Sequence, residues 1–144
     1  MASLPIRWIE GRTYCHATED ESRVGRALAF VCPEGKASRE VLEGHFGNAL
    51  VRLTRRVEER KAVRRLWERW SEAGLADAIG SEVDARVDEE GILHFRLDKQ
   101  AAFEERLALA KDADAIDVRL KLIAYPAKAE EARRIARSIV QGAV

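Results

Sequence analysis

The stretch Ile116-Asp117-Val118-Arg119-Leu120-Lys121-Leu122-Ile123-Ala124 alternates apolar and charged side chains over most of its length. Because successive side chains of a β-strand point to opposite faces of a sheet, this alternation predicts a strand over residues 116–124. Its apolar side chains must pack against a core, which places Asp117, Arg119 and Lys121 on the opposite, polar face. A strand with one polar face is typical of an antiparallel or mixed sheet, since the strands of parallel sheets are buried on both faces.

The same periodicities predict the elements on either side of this strand. Alternating apolar residues indicate strands, and apolar residues at every third or fourth position indicate helices. The predicted strands cover residues 6–17, 39–43, 49–57, 82–87, 92–97 and 116–124. The first predicted helix follows a capping box at Thr18 and Glu21 and ends at Pro33. The others cover residues 58–73, 98–110 and 128–141, with a short helical turn over 75–81.

The order β-α-β-β-α-β-β-α-β-α predicts the α+β class, a mixed, mostly antiparallel sheet with helices packed on one face. With 144 residues the chain has the length of one ordinary domain, so we expect a single domain over residues 1–144. No stretch has the pattern of a signal peptide or approaches the ~20 apolar residues that cross a bilayer. We therefore expect a cytoplasmic protein that does not bind a membrane.

The two cysteines indicate the same compartment. Cys15 lies in a predicted strand and Cys32 at the end of a predicted helix, and their spacing matches no zinc-binding motif. We expect two buried thiols in a reducing environment, with a disulfide as the alternative.

The charges balance in total but not along the chain. The chain has 25 basic and 25 acidic residues, yet residues 52–70 are mainly basic and residues 72–98 mainly acidic, an asymmetry that indicates an interaction surface. Strand alternation predicts one exposed sheet face that carries Arg52, Arg56, Arg96, Arg119 and Lys121, with Asp117 as the acid assigned to it. Phosphates are attracted to such a face. The alternative is a solvated face without a partner.

A glycine-flanked loop is predicted beside this face. In Gly44-His45-Phe46-Gly47-Asn48, the exposed His45 and Phe46 rings are suited to stack on an RNA base. The alternative is a turn whose glycines supply positive φ angles. We expect His45 and Lys99 near the rim of the same face.

The sequence contains no recognisable catalytic motif. Phosphate-binding, dinucleotide-binding, serine-hydrolase and zinc-protease patterns are all absent. A metal site assembled from Cys15, His16, His45 and His94 is an alternative, but no pair of them has tight ligand spacing. We therefore predict a protein that is not an enzyme and holds no metal or other cofactor.

Five short segments give the chain a family resemblance. They are Ile6–Glu10, Thr13–Asp20, Glu43–Asn48, Arg96–Ala102 and Ala124–Lys128, and they include the motifs H-A-T-E-D, E-G-H-x-G-N and D-K-Q-A-A. In this order they resemble an archaeal family of small RNA-binding domain proteins described as exosome-associated or as predicted exosome subunits. The resemblance covers nearly the whole chain. It implies an α+β fold like that of a large-subunit ribosomal protein, and a role in RNA binding.

Together these observations predict a non-catalytic RNA-binding protein associated with RNA processing or the exosome. Its predicted RNA-binding residues are Arg52, Arg56, Arg96, Arg119, Lys121, His45, Phe46, Asn48, Lys99 and Gln100. The alternative hypothesis, drawn from the opposed basic and acidic segments, is a protein–protein adaptor or a dimeric scaffold within an RNA-processing complex. The expected partner is RNA, with exosome or other RNA-processing proteins and a second copy of the chain as further candidates.

Overall fold

A computed structural model describes residues 4–43 and 49–142 of the chain. Its strands are β1 (Ile6–His16), β2 (Lys36–Glu43), β3 (Ala49–Val57), β4 (Ile92–Asp98) and β5 (Ala115–Leu122). Its helices are α1 (Glu21–Val31), α2 (Arg60–Glu72), α3 (Leu75–Gly80), α4 (Lys99–Phe103) and α5 (Ala129–Val140), and a 3₁₀ turn covers Val83–Arg86. No helix in the described part of the chain is long and apolar enough to cross a membrane.

The strands form one five-stranded sheet in the order β2-β3-β1-β5-β4 within the described residues. β2 pairs antiparallel with β3, in a register that runs from Lys36 opposite Arg56 to Glu43 opposite Ala49. The predicted α+β class and the mostly antiparallel sheet are thus confirmed. β2 is the first strand of that order and is exposed along almost its whole length, and its Val41 is 61% exposed.

The strand that decided the fold prediction has the expected burial. Ile116, Val118, Leu120 and Leu122 are buried, whereas the charged residues between them are half-buried. β4 follows the same rule around Phe95. Tyr125-Pro126 lies just beyond β5, as the sequence predicts for a strand end, and its peptide bond is cis.

The contacts of the chain divide it into two compact units. Unit 1 comprises Met1–Ile9, Glu58–Phe95 and Arg119–Val144, and unit 2 comprises Glu10–Val57 and Arg96–Val118. In unit 1, the indole of Trp70 is fully buried and packs edge-to-face on Phe95 with 5.6 Å between ring centroids. The prediction of a single domain over residues 1–144 stays a prediction.

The core of unit 2 forms between helix α1 and the strands of that unit. Val24, Leu28 and Val31 recur at helical spacing on α1 and are buried. Gly11 lies on β1 close to this helix, since a Cβ atom there would approach Cys32 Sγ at 3.1 Å and Leu28 at 3.2 Å. The close packing explains why a glycine stands in the strand. Cys15 and Cys32 are both buried and neither forms a disulfide, as predicted.

Two predicted elements are wrong. Residues 82–87 do not form a strand: Val83–Arg86 is a 3₁₀ turn, and only Val87 makes an isolated antiparallel bridge, to Leu93. The apolar residues here, Val83 and Val87, are four positions apart, a spacing that places them on one face of either a strand or a helical turn. Glu82 and Arg86, also four apart, are joined by a 2.7 Å ion pair that supports the turn.

The helix predicted over 98–110 is also too long. It ends at Phe103, and Glu105 has a φ of 57°, a left-handed conformation that does not continue a helix. The chain then returns to β4, where the Asp98 amide donates to the Ala108 carbonyl at 2.8 Å. The Ala110 amide donates to the Arg96 carbonyl of β4 at 2.9 Å, so an amide that a longer helix would have used internally still has a partner.

The start of α1 differs from the predicted capping box at Thr18 and Glu21. Asp20 is the N-cap, and its Oδ1 accepts a hydrogen bond from the Ser22 amide at 2.9 Å. Glu21 instead forms a 2.8 Å ion pair with Arg39 of β2. An aspartate competes well for the capping position because its short side chain reaches the second and third amides of the helix.

The buried indole of Trp70 gives the first prediction. Trp70→Ala should lower the free energy of unfolding by about 3–5 kcal/mol, because it leaves a cavity against Phe95 that the surroundings fill only in part. Urea unfolding followed by circular dichroism measures the loss. Lys61→Ala, on the exposed side of the same helix, is the control and should change stability by about 0.5 kcal/mol or less. A loss below about 1 kcal/mol for Trp70→Ala would contradict the proposed core.

Candidate nucleic-acid interface

Three of the predicted arginines lie in unit 2, and each contacts a carboxylate. Arg52 on β3 forms an ion pair with Glu40, which stands opposite it on β2. Arg56 lies 3.3 Å from the carboxylate of Glu10. Neither acid belongs to the predicted basic face. The charge of this face is therefore more evenly balanced than the sequence predicts.

Arg96 on β4 completes the set in unit 2. Its Nε donates to Asp117 at 3.1 Å and its Nη2 donates to the Ala113 carbonyl at 2.7 Å. Asp117 is the acid that the sequence analysis assigned to this face. Phosphate groups that bind here must compete with these carboxylates. The Arg52–Glu40 and Arg96–Asp117 pairs are exposed and therefore weak, whereas Glu10 is buried against Arg56.

The other two predicted cations on the strands lie in unit 1. The guanidinium of Arg119 stacks over the Trp8 ring with its central carbon 5.5 Å from the ring centroid. The ammonium of Lys121 donates a hydrogen bond to the backbone carbonyl of Glu90. A carbonyl acceptor carries no net charge, so Lys121 keeps its positive charge available for an anion.

The expected exposure of Lys99 at the rim is wrong. Its side chain is fully buried, and its Nζ donates to the Tyr14 carbonyl at 2.7 Å, to Glu19 Oε1 at 2.9 Å and to Asp114 Oδ1 at 3.2 Å. These three acceptors use all three N–H groups of the ammonium. Lys99 therefore has a structural role in unit 2 and presents no charge to solvent.

Glu19 is held ionised by the same cluster. Burial alone would raise the pKa of Glu19, but hydrogen bonds from the His16 amide and the Lys99 ammonium outweigh it and lower that pKa below its ordinary value of 4.5. The motifs H-A-T-E-D and D-K-Q-A-A thus meet around one buried ammonium. Their aspartates, Asp20 and Asp98, are the N-caps of α1 and α4.

The residues that could hold a metal ion differ from the predicted set of Cys15, His16, His45 and His94. His16, Glu19 and Asp114 place one ligand atom each within 4.8 Å of one another. The Lys99 ammonium, however, already binds both carboxylates and offsets one of their two negative charges, which weakens the attraction for a cation. Burial raises the pKa of the Cys15 thiol, with a smaller contribution from Glu19, so the thiolate that metals prefer is disfavoured.

The remaining predicted residues divide into two groups. Gln100 is exposed in the first turn of α4, where its backbone amide donates to Asp98 Oδ1 at 2.9 Å. His45, Phe46 and Asn48 lie in residues 44–48, outside the described residues.

Unit 1 contains a cavity that the sequence analysis did not predict. It has a volume of about 140 Å³ and lies at the end of β5, where Arg7, Lys121 and Lys128 line it together with Tyr125. In the sequence, the feature that points to this cavity is Tyr125, an aromatic residue between the end of a strand and Lys128. That signal is weak on its own, because Arg7 joins the cavity from the other end of the sequence.

The chain matches a known protein family over most of its length. A family model described as RNA binding matches residues 8–122, from β1 to the end of β5. The chain belongs to this RNA binding family. A curated relative, the RNA-binding protein PAB1135 of Pyrococcus abyssi, is 30% identical over 142 residues that cover 91% of each chain.

Solved structures related to this RNA binding family member share its fold. Protein AF2318 from Archaeglobus fulgidus is 31% identical, with a TM-score of 0.84 over 93% of this chain and 99% of that one. Mth689, a DUF54 protein from Methanothermobacter thermautotrophicus, is 38% identical, with a TM-score of 0.80 over 94% of this chain and 98% of that one. The match to almost the full length of both proteins agrees with the archaeal RNA-binding resemblance in the sequence.

The buried ammonium gives a pH-dependent prediction. The pKa of Glu19 is lowered by folding, so its contribution to stability is present above its ordinary value of 4.5 and is lost as the pH falls through the folded value. Lys99→Met should lower the free energy of unfolding at neutral pH by about 1–3 kcal/mol, since buried acceptors lose their donor. It should also flatten the loss of stability below pH 4.5.

Urea unfolding at a series of pH values from neutral to below 4.5 measures both effects. Lys111→Met is the matched control, because Lys111 is exposed and its replacement should leave the pH profile unchanged. A Lys99→Met profile parallel to that of the wild type would show that the cluster does not hold Glu19 ionised.

Proposed function

We propose that this member of the RNA binding family is a non-catalytic RNA-binding protein that acts in RNA processing in association with the exosome, in the cytoplasm. The observation that carries the proposal is the family match over residues 8–122, which begins within β1 and includes the other four strands of the described sheet. The curated relative that aligns with nearly the whole chain is itself named an RNA-binding protein. The exosome association follows from the sequence resemblance and is the part of the proposal that needs its own test.

The proposed RNA surface follows the polar side of the strands. In unit 2 it comprises Arg52, Arg56 and Arg96 with Gln100, and in unit 1 it comprises Arg119 and Lys121. His45, Phe46 and Asn48, which lie outside the described residues, complete the proposed set. In unit 2 the arginines begin in ion pairs with carboxylates, so RNA phosphates must replace the exposed partners Glu40 and Asp117. Arg56 keeps its pair with the buried Glu10 and offers less of its charge to RNA. We therefore expect moderate affinity that decreases with added salt.

The non-catalytic part of the proposal is supported by the state of the reactive groups. Burial favours the protonated form of the Cys15 thiol, and the carboxylates of Glu19 and Asp114 bind the Lys99 ammonium. His94 is 2.6 Å from Asp88, but neither atom of this pair contacts a serine, threonine or cysteine in the described residues. A base without a nucleophile does not form a catalytic pair.

An adaptor or dimeric scaffold within an RNA-processing complex is the second candidate. The opposed charges along the chain favour it, because a basic segment at 52–70 and an acidic segment at 72–98 can pair between two molecules. Light scattering on the purified protein and a pull-down with exosome core proteins separate the two candidates. A monomer that binds RNA and captures no core protein would contradict both the adaptor role and the exosome association.

Salt dependence tests RNA binding itself. Fluorescence anisotropy with short labelled RNAs should show binding at low salt that weakens as salt is added. Arg96→Ala and Arg119→Ala should each weaken binding several-fold, whatever the RNA sequence, and flatten the salt dependence by the loss of one phosphate contact. Lys111→Ala, which removes an exposed charge outside the proposed surface, is the control and should bind as the wild type does. Absence of binding at low salt and high protein concentration would refute the proposal.

A further inference from the structure

We propose that the cavity at the end of β5 in unit 1 is a nucleotide subsite for single-stranded RNA, in which cationic side chains hold one phosphate and Tyr125 stacks on the adjacent base. The proposal rests on the proposed RNA-binding function and names a part of the protein that was absent from the predicted RNA surface. Lys121 is the one residue that belongs both to this cavity and to the predicted RNA surface.

The cavity is formed by segments that are far apart in the sequence. Arg7 comes from β1, Lys121 from β5, and Tyr125 and Lys128 from the connection between β5 and α5. The turn before β4 closes one side at Gly91, whose carbonyl accepts a hydrogen bond from the Leu122 amide at 3.0 Å. Gly91 has a φ of 76°, and a Cβ atom there would lie 3.9 Å from the Lys121 ammonium. The left-handed φ is the reason a glycine is favoured at this turn, because other residues adopt that conformation only with strain.

The charge of the cavity favours an anion. Arg7, Lys121 and Lys128 form no ion pair with a carboxylate of residues 4–43 or 49–142, and against these three cations Glu90 is the acidic residue in the lining. The carboxylates of two nearby acids have cationic partners of their own, because Glu131 binds Arg134 and Glu89 lies 3.7 Å from Arg133. This differs from unit 2, where Arg52, Arg56 and Arg96 start in ion pairs.

Tyr125 supplies the second half of the site. It is 80% exposed, an unusual state for a large aromatic side chain in a folded protein. An aromatic ring beside cationic side chains is the arrangement by which proteins bind single-stranded nucleic acid, since the ring stacks on a base and the cations contact the backbone. The base must be unpaired, because the bases of an A-form duplex are not free to stack on a side chain.

The size of the cavity sets the kind of ligand. Its volume of about 140 Å³ is well below the roughly 300–1,000 Å³ of pockets that enclose drug-sized molecules. It therefore suits a phosphate and part of its sugar within an RNA chain, with the base outside against Tyr125, and does not suit an enclosed cofactor.

Fluorescence anisotropy with the full chain tests the subsite, using a labelled single-stranded oligoribonucleotide and the same strand in a duplex. Tyr125→Ala should weaken single-strand binding about tenfold, while Tyr125→Phe should bind as the wild type because it keeps the aromatic face. Arg7→Ala and Lys128→Ala should each weaken single-strand binding, and the double variant should reduce the slope of log affinity against log salt by about 0.7, the loss of the one phosphate contact that these cations share. Duplex binding should change little with Tyr125→Ala.

Two negative outcomes are distinguishable. If the wild type binds single-stranded RNA but the Tyr125, Arg7 and Lys128 variants all bind like the control Lys111→Ala, the subsite is wrong and the proposed function stands. If the wild type binds neither RNA, the proposed function is wrong and the subsite with it. Urea unfolding of each variant checks the fold, which these exposed positions should leave unchanged.

Discussion

The ammonium group of Lys99 has no contact with solvent, and the local structure of unit 2 depends on how that charge is satisfied. A buried charge is tolerated only where opposite charges and hydrogen bonds replace the water it has lost. The Lys99 ammonium donates hydrogen bonds to the Tyr14 carbonyl and to the carboxylates of Glu19 and Asp114. These residues are 85, 80 and 15 positions away in the sequence. The need to satisfy this charge holds four segments around Lys99 Nζ: the end of β1, the turn before α1, the start of α4 and the segment before β5. Displacing any one of these segments would leave a charge without its partner.

The distribution of paired and unpaired cations explains how a chain of zero net charge belongs to an RNA binding family. In unit 2 many charges are used within the protein, between neighbouring strands or around Lys99. In unit 1 the cavity at the end of β5 combines cations that have no carboxylate partner among the described residues. Net charge governs nonspecific attraction at a distance, whereas binding at close range depends on which cations remain available. A neutral protein with a local cationic site is therefore suited to contact RNA without coating it.

Local patterns predict most of the helices and strands but not the site. The alternation in β5 and the helical spacing on α1 and α5 each depend on neighbouring residues, and each was predicted from the sequence. The segment at 82–87 was assigned wrongly because two valines four positions apart suit either a short strand or a helical turn. Lys99 is predicted near the rim of the polar sheet face, and its burial depends on acceptors that only the folded chain brings near. Arg7 and Tyr125 were missed for the same reason, since more than one hundred residues separate them.

The outermost strand of the sheet limits how these molecules meet one another. β2 has no strand on its outer side in the described residues, so its backbone N–H and C=O groups offer a template to any extended chain. Charges of both signs interrupt that template, at Lys36, Arg39, Glu40 and Glu43, and in this strand only Val41 adds a large exposed apolar side chain. Charged edges of this kind oppose the sheet-to-sheet growth that leads to fibrous aggregates. The same residues that make β2 a poor part of any core thus help to keep the protein dispersed at high concentration.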